Sequence, residues 1–471
     1  MWRKVLWLEW RILRRDRAAL AVLVIFALFL VASALAGGKH AADLAEGLEA
    51  GQSSETQRLQ ALATSLRRLE VSDEPLSGKD PRDPVWMGED GYARYVALPP
   101  SPLAAVAVGQ RDLHPQAVRV TTGVQLTQER ETETRMSGPT RLMTGAFDPS
   151  FLFVVLFPLV IIALSYEILS GERERGTLAM LLSQPVTQYD LVLGKAGARA
   201  LLICVVTLVF ALLGLVIAGA DLSSPHAWTH VGLYALILVV WAGFWFAAAV
   251  WVNSWGQTSA RNALSLVGLW LVLVVVVPGL VSVGVDALHP PPSRIDLMHE
   301  AREAAQDVKG EIDGLVGRHD INAKKGVLAK RVLEAKEELV KRSAPVLKEL
   351  RNQLRERQAL LSRLRFLSPA LVVQFALEDV AGSGMARHHV FEDQVDAYHA
   401  SFRAYFTLPV RAGRMLGSKD LDLIPKFSYA EEPVSAMSGR VMGGVIALLL
   451  SLVGLLLLAR PALRRVGRLT R

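Results

Sequence analysis

Ser165-Tyr-Glu-Ile-Leu-Ser-Gly-Glu-Arg-Glu-Arg-Gly-Thr-Leu-Ala-Met-Leu-Leu-Ser-Gln-Pro185 is a run of charges set between two apolar segments. Phe151 to Leu164 leads straight into it, and Ala200 to Ala220 follows soon after. Both segments are too long and too free of charge for one face of a soluble helix. A charged loop in that position is a handle on the face of a membrane protein. The chain is expected to be worked from that side.

The composition points the same way. Of 471 residues 51% are apolar and the mean hydropathy is +0.31, yet 21% are charged, so the two kinds must be segregated. A helix needs about 20 apolar residues to cross a hydrocarbon core of about 30 Å. Six stretches qualify: 18–36, 150–168, 200–220, 231–252, 263–285 and 441–459. The second is the shortest and needs Tyr166 and Ile168 to complete it. The expected fold is an α-helical polytopic membrane protein with six transmembrane helices.

Charge placement orients the spans, because short cytoplasmic loops collect Lys and Arg. Arg3, Lys4, Arg11, Arg14, Arg15 and Arg17 precede the first span, and a basic tail, 460–471, follows the sixth. The loop 169–199 adds Arg173, Arg175, Lys195 and Arg199. Both termini are therefore expected inside, with 37–149 and 286–440 as two extracytoplasmic regions. This asymmetry accounts for the formal charge of +7 and a pI near 9.5 without any nucleic-acid partner.

Ala34-Leu35-Ala36 imitates a signal-peptide cleavage site, but the apolar run before it exceeds the usual ~7–15 residues. Retention as a span is the reading taken. Ahead of it, Trp2, Val5, Leu6, Ile12 and Leu13 fall at helical spacing among basic residues. Residues 1–17 thus read as an amphipathic interfacial helix. The single cysteine, Cys204, lies in the third span and excludes an intrachain disulfide.

The first outer region reads as mixed α/β. Leu44, Leu48, Leu59, Leu62 and Leu66 continue the first helix outward as a stalk, which Pro75, Pro81 and Pro84 break. Tyr92–Leu98 and Ala117–Leu126 read as strands. The second outer region is mainly helical. Leu347, Leu350, Leu354, Leu361 and Leu364 mark an amphipathic helix, pairing with Asp296–Val316. Pro345 is expected to begin a helix, and Ser368-Pro369 reads as a cap and first turn. Gly382-Ser-Gly384 then separates it from a last helix, Met385 to Phe406.

That last helix carries His388, Glu392, Asp396 and His399 near one face. Histidine with carboxylate can bind a transition metal. One helix cannot wrap a metal with ligands spread over this length, so no metal is expected unless other ligands join. The plainer reading is a polar helix face. The chain has no Gly-x-x-x-x-Gly-Lys-Ser/Thr, no His-Glu-x-x-His and no Gly-x-Ser-x-Gly. It is not expected to be an enzyme, and work against a gradient would need energy from another chain.

The stretch Glu167 to Lys195, with Glu-Arg-Glu-Arg-Gly-Thr-Leu, Leu-Leu-Ser-Gln-Pro and Leu-Gly-Lys, resembles the cytoplasmic loop of ABC-2 type transporter permeases. That family's loop also lies between the second and third of six spans, and its interfacial connecting helix matches the amino-terminal segment. The large outer regions, with Leu-Ser-Pro-Ala and a Pro-Ser-Pro-Leu-Ala segment, look like a bacterial subgroup carrying a domain of unknown function. The resemblance implies a permease in the bacterial cytoplasmic (inner) membrane, pairing as a homodimer or with a related permease. It also implies two copies of a separate ATPase subunit, on which ATP and Mg are bound, with no cofactor held by this chain.

The resemblance further implies coupling to the ATPase through Glu167, Glu172, Arg173, Glu174, Arg175, Gly176, Thr177, Leu178, Pro185 and Lys195. Gly171–Ser183 is read as a short helix along the membrane surface, ended by Pro185. The charges at 172–175 would offer charge-assisted contacts. Glu167, at a span's end, is either a functional intramembrane carboxylate or one that snorkels or pairs with Arg199. Three functions stay in view. One is export of an amphipathic, lipid-linked or polymeric substrate, and another is transmission of ATP-driven motion to an extracytoplasmic partner. The third is metal handling through the His388 face.

Overall fold

The computed structural model describes residues 2–71, 80–109, 111, 114–123, 147–184, 187–290 and 325–469. Helix α1 (Trp2–Leu13) is followed by a tight turn, and Asp16 Oδ1 accepts the N–H groups of Ala18 and Ala19 to start α2 (Arg17–Val71). At 55 residues, α2 is about 80 Å long. It crosses the bundle and continues unbroken as the stalk read from its leucines.

The second crossing is assembled from pieces. Asp148 caps Pro149–Phe151, a widened π turn spans Leu152–Leu156, and α3 (Phe157–Ser165) completes it. The widened turn spoils the regular carbonyl pairing, and Pro158 has no N–H to contribute. Indole N–H groups supply what is missing: Trp241 Nε1 donates to Phe153 O (2.9 Å) and Trp270 Nε1 to Val155 O (3.0 Å). Within hydrocarbon such satisfaction is obligatory. Two short helices follow, α4 (Ser170–Glu174) and α5 (Thr177–Leu182).

Helices α6 (Gln188–Ile217) and α7 (Pro225–Asn253) form an antiparallel pair. Next comes a crossing made of α8 (Ser259–Trp270), a π turn at Leu271–Val276 and α9 (Val277–Leu288). The last crossing is α13 (Val434–Leu469). Among the described residues, six helical segments are thus long and apolar enough to span a membrane. The chain is a multi-pass helical membrane protein. Helix α7 packs against α3 and α13, with Tyr234, Trp241 and Trp245 fully buried and Tyr234 edge-on to Phe153 of the π turn. The α8–α9 crossing is the opposite case, with only 17% of its apolar window buried.

Beyond the spans lies a distal unit. Strands β1 (Arg94–Ala97) and β2 (Ala117–Val120) pair antiparallel, with Val96 opposite Val118. They pack with the end of α2 and with α12 (Met385–Ala412) around Leu66, Met87, Val120, Phe391, Phe402 and Phe406. Both strands are shorter than the sequence pattern suggests. The remainder of the second, from Val124, lies outside the described residues, as does Asp296–Val316.

Pro345 does not begin a helix. It lies inside α10 (Lys325–Leu364) at an exposed position, where water can take the carbonyl that proline leaves unbonded. Ser368 and Pro369 start α11 (Pro369–Ala381) as read, with Ser368 Oγ accepting from Leu371 N, and Gly382 ends it in the left-handed conformation (φ 66°). Helix α11 is not peripheral, however. Val373, Ala376 and Leu377 are buried in the core shared by the spans. Ser368 Oγ donates to Leu273 O midway along its crossing (2.6 Å), while His230 Nδ1 meets Val380 O (2.8 Å) at the other end.

Candidate coupling site

The charged loop closes one end of the bundle, where α1, α4, α5, the start of α6 and the end of α13 meet. Thr187 and Asp190 form a reciprocal capping box that starts α6, and Asp190 Oδ1 also accepts the Trp2 N–H (3.2 Å). α1 then lies directly on α6. A Cβ on Gly194 would stand 2.6 Å from Val5 Cβ and 3.0 Å from Trp2 O, so only glycine permits this approach.

The close contact carries charge into the interior. Glu9, on the packed side of α1, is 3% exposed. Its Oε1 accepts from Arg199 Nε (2.9 Å), and Oε2 lies 3.8 Å from Lys195 Nζ. Lys195 Nζ in turn donates to Glu172 Oε1 of α4 (2.5 Å). Arg199 also donates to Leu164 O at the end of the second crossing (2.5 Å). Two acids and two bases thus form one chain through α1, α6 and α4, buried at Glu9, Lys195 and Arg199 and half-buried at Glu172. Such a chain tolerates burial only while every member is paired.

Glu172 also takes the Thr177 hydroxyl and lies 3.8 Å from Arg175. Arg173 donates to Gln257 O (2.5 Å). Glu174 accepts from Ser259 N (2.6 Å) and Ser259 Oγ (2.9 Å), placing a carboxylate on the first turn of α8, where unpaired N–H groups and the helix dipole favour it. The expected single helix over Gly171–Ser183 is therefore two. Gly176, at φ 73° with nothing near its Cβ position, makes the corner between α4 and α5. Leu178 seats α5 among Ile168, Leu191, Ala459 and Leu463. Glu167 is half-buried beside Gly171, and Arg199 pairs with Glu9 rather than with it. Pro185 lies outside the described residues.

Between α3 and α4 the chain unwinds over Tyr166–Leu169, and two buried asparagines splice it. Asn253 donates to Ser165 O (3.2 Å) and accepts from Leu169 N (3.3 Å). Asn262 donates to Tyr166 O (3.3 Å) and to Asn253 Oδ1 (3.2 Å). Sequence reasoning missed Glu9, Asn253, Asn262 and Ser259 as site residues. Glu9 alone had a visible signal, being the one acid at helical spacing with Val5, Leu6 and Leu13.

The His388 face does not assemble. His388 Nε2 stays within its own helix, 3.3 Å from Glu392, and its ring lies against His114 (4.6 Å). Asp396 pairs with Arg351 of α10, and His399 Nε2 meets Gly123 O (3.0 Å). Eleven residues of helix separate the outer pair by about 16 Å, so these four cannot share an ion. No group that could hold a metal occurs among the described residues.

Compared with known proteins, residues 3–461 match the family model described as ABC-2 family transporter protein. No curated protein matches the chain.

Proposed function

We propose, for a chain that belongs to the ABC-2 family of transporter proteins, that the charge chain is where ATP-driven motion enters. Membership makes it the membrane (permease) subunit of an ABC transporter, partnered by an ABC ATPase. In this reading the end bearing α1, α4 and α5 is cytoplasmic, as the Lys and Arg excess there supports. Two ATPase copies, holding ATP and Mg, press on α4 and α5 of a permease pair. The observation that carries it is the linkage Glu172–Lys195–Glu9–Arg199, which ties the surface helix α4 to α6 and, through Arg199, to the second crossing. A push on α4 cannot leave those crossings unmoved.

The substrate class that suits such a machine is amphipathic, lipid-linked or polymeric, extruded across or out of the bilayer. A second reading, transmission of force without transport, is favoured by α2. That helix runs unbroken from the bundle into the distal core at Leu62 and Leu66.

The test is ATPase activity of the partner subunit reconstituted with this chain. Lys195→Met and Glu172→Gln are expected to lower stimulation roughly tenfold, the range for residues along a coupling network, while the permease still inserts. Stimulation at the wild-type level in both variants overturns the assignment.

A further inference from the structure

The side of α1 facing away from α6 has no role in the charge chain. Val5, Leu6, Glu9 and Leu13 turn to the bundle. Lys4, Leu8, Arg11 and Ile12, spaced four, three and one apart, share the other side. All four are exposed, and Arg15 continues the row in the following turn. Arg11 lies 3.4 Å over the ring of exposed Trp7. Arg3, Arg14 and Arg17 are exposed as well. Lys4, Arg11 and Arg15 have no salt bridge to any of the described residues. The only acid on this stretch besides Glu9 is Asp16, which is spent on starting α2.

Chain continuity sets where this side lies. The first crossing starts at Arg17, four residues after α1 ends, so α1 is held at the level where a span meets the polar boundary. There, two exposed aliphatic side chains flanked by long cationic ones form an arrangement that sinks apolar atoms and keeps charges among headgroups. A tryptophan beside them prefers the same depth.

We infer that this side of α1 is a binding surface for anionic phospholipid headgroups, held by Lys4, Arg11 and Arg15 with Leu8 and Ile12 beneath. The surface rests on the coupling reading above and extends it. Headgroups on one side of α1 fix the helix whose other side presents Glu9 to Lys195 and Arg199. The lipid charge next to α1 therefore sets how firmly the charge chain is closed, and coupling depends on anionic lipid.

The experiment reconstitutes the whole permease with its ATPase in nanodiscs of phosphatidylcholine, with and without phosphatidylglycerol. Wild type is expected to stimulate the ATPase several-fold more when phosphatidylglycerol is present. The combined variant Lys4→Gln/Arg11→Gln/Arg15→Gln should lose that difference, and Arg11→Lys/Arg15→Lys should keep it. Native mass spectrometry of the solubilised permease titrated with phosphatidylglycerol reads binding without any ATPase. Each removed charge should weaken it about fivefold. Equal wild-type stimulation in both lipids, or unchanged lipid binding by the triple glutamine variant, overturns the inference. Loss of stimulation by that variant equally in both lipids also overturns it, assigning the surface to a protein. No stimulation by wild type in either lipid would instead fail the coupling reading, while the mass-spectrometric titration still decides the lipid surface.

Discussion

Glu9 is the residue on which the charge chain turns. Its removal leaves Arg199 and Lys195 buried with one fewer carboxylate between them, and breaking a buried pair from one side costs about 3–5 kcal/mol. Glu9→Ala should therefore lower the unfolding temperature of the purified protein clearly. Glu9→Met combined with Arg199→Met, which removes charge of both signs, should recover much of that loss. An equal loss in the single and double variants would show that the ion pair is not what holds α1 to α6. Gly176 presents a different problem. Its surroundings are empty, so a side chain meets only the strain of positive φ, about 1–2 kcal/mol. Gly176→Ala should lower thermal stability modestly, less than Glu9→Ala does, and reduce ATPase stimulation, because it redirects α5 against α4. A wild-type coupling ratio in this variant would remove the corner from the mechanism.

At the scale of elements, α12 shows how a polar helix face is used. Arg351 and Arg355 of α10 pair with Asp396 and Asp393, so charge pairs strap α10 to α12. On α12, burial pushes the His399 imidazole below its ordinary value of 6.5, and burial does the same to His389. These groups take up fewer protons in the folded protein than in the unfolded chain as pH falls below 6.5. The unfolded state then binds more protons, and folded stability declines. A scan of unfolding temperature should show a loss below pH 6.5 that His399→Gln makes shallower. A profile identical to wild type would show that His399 is not one of the responsible groups. The helix itself was legible in advance, as were the Ser368–Pro369 start and the break at Gly382, because capping and glycine signals act over a few residues. Its chemistry was not legible. Four residues on one face left a shared ion open beside the plainer polar face, and only the neighbours brought by α10 and by Thr121–Gly123 showed that Asp396 and His399 are held elsewhere, leaving His388 with Glu392.

At the scale of the whole molecule, the long α2 connects the charge chain's end of the bundle with the distal core. Ala50→Pro, at an exposed position between the two, breaks a helical hydrogen bond and costs about 3 kcal/mol or more. If motion passes along α2, this variant should retain ATPase stimulation and lose the activity carried out at the distal unit. If the substrate moves through the spans alone, transport measured in vesicles should continue. By itself the sequence determined what depends on local pattern: six apolar crossings, the amphipathic α1, the stalk, and a charged loop between the second and third crossings. Hydrophobic periodicity and capping report on residues within a turn or two of each other, so they can be read along the chain. The tertiary structure alone decided that Glu9 meets Arg199 across 190 positions, that two asparagines splice the unwound second crossing, and that α11 sinks among the spans. A buried charge or amide takes whichever partner packing brings within about 3 Å, and no spacing in the chain records that choice.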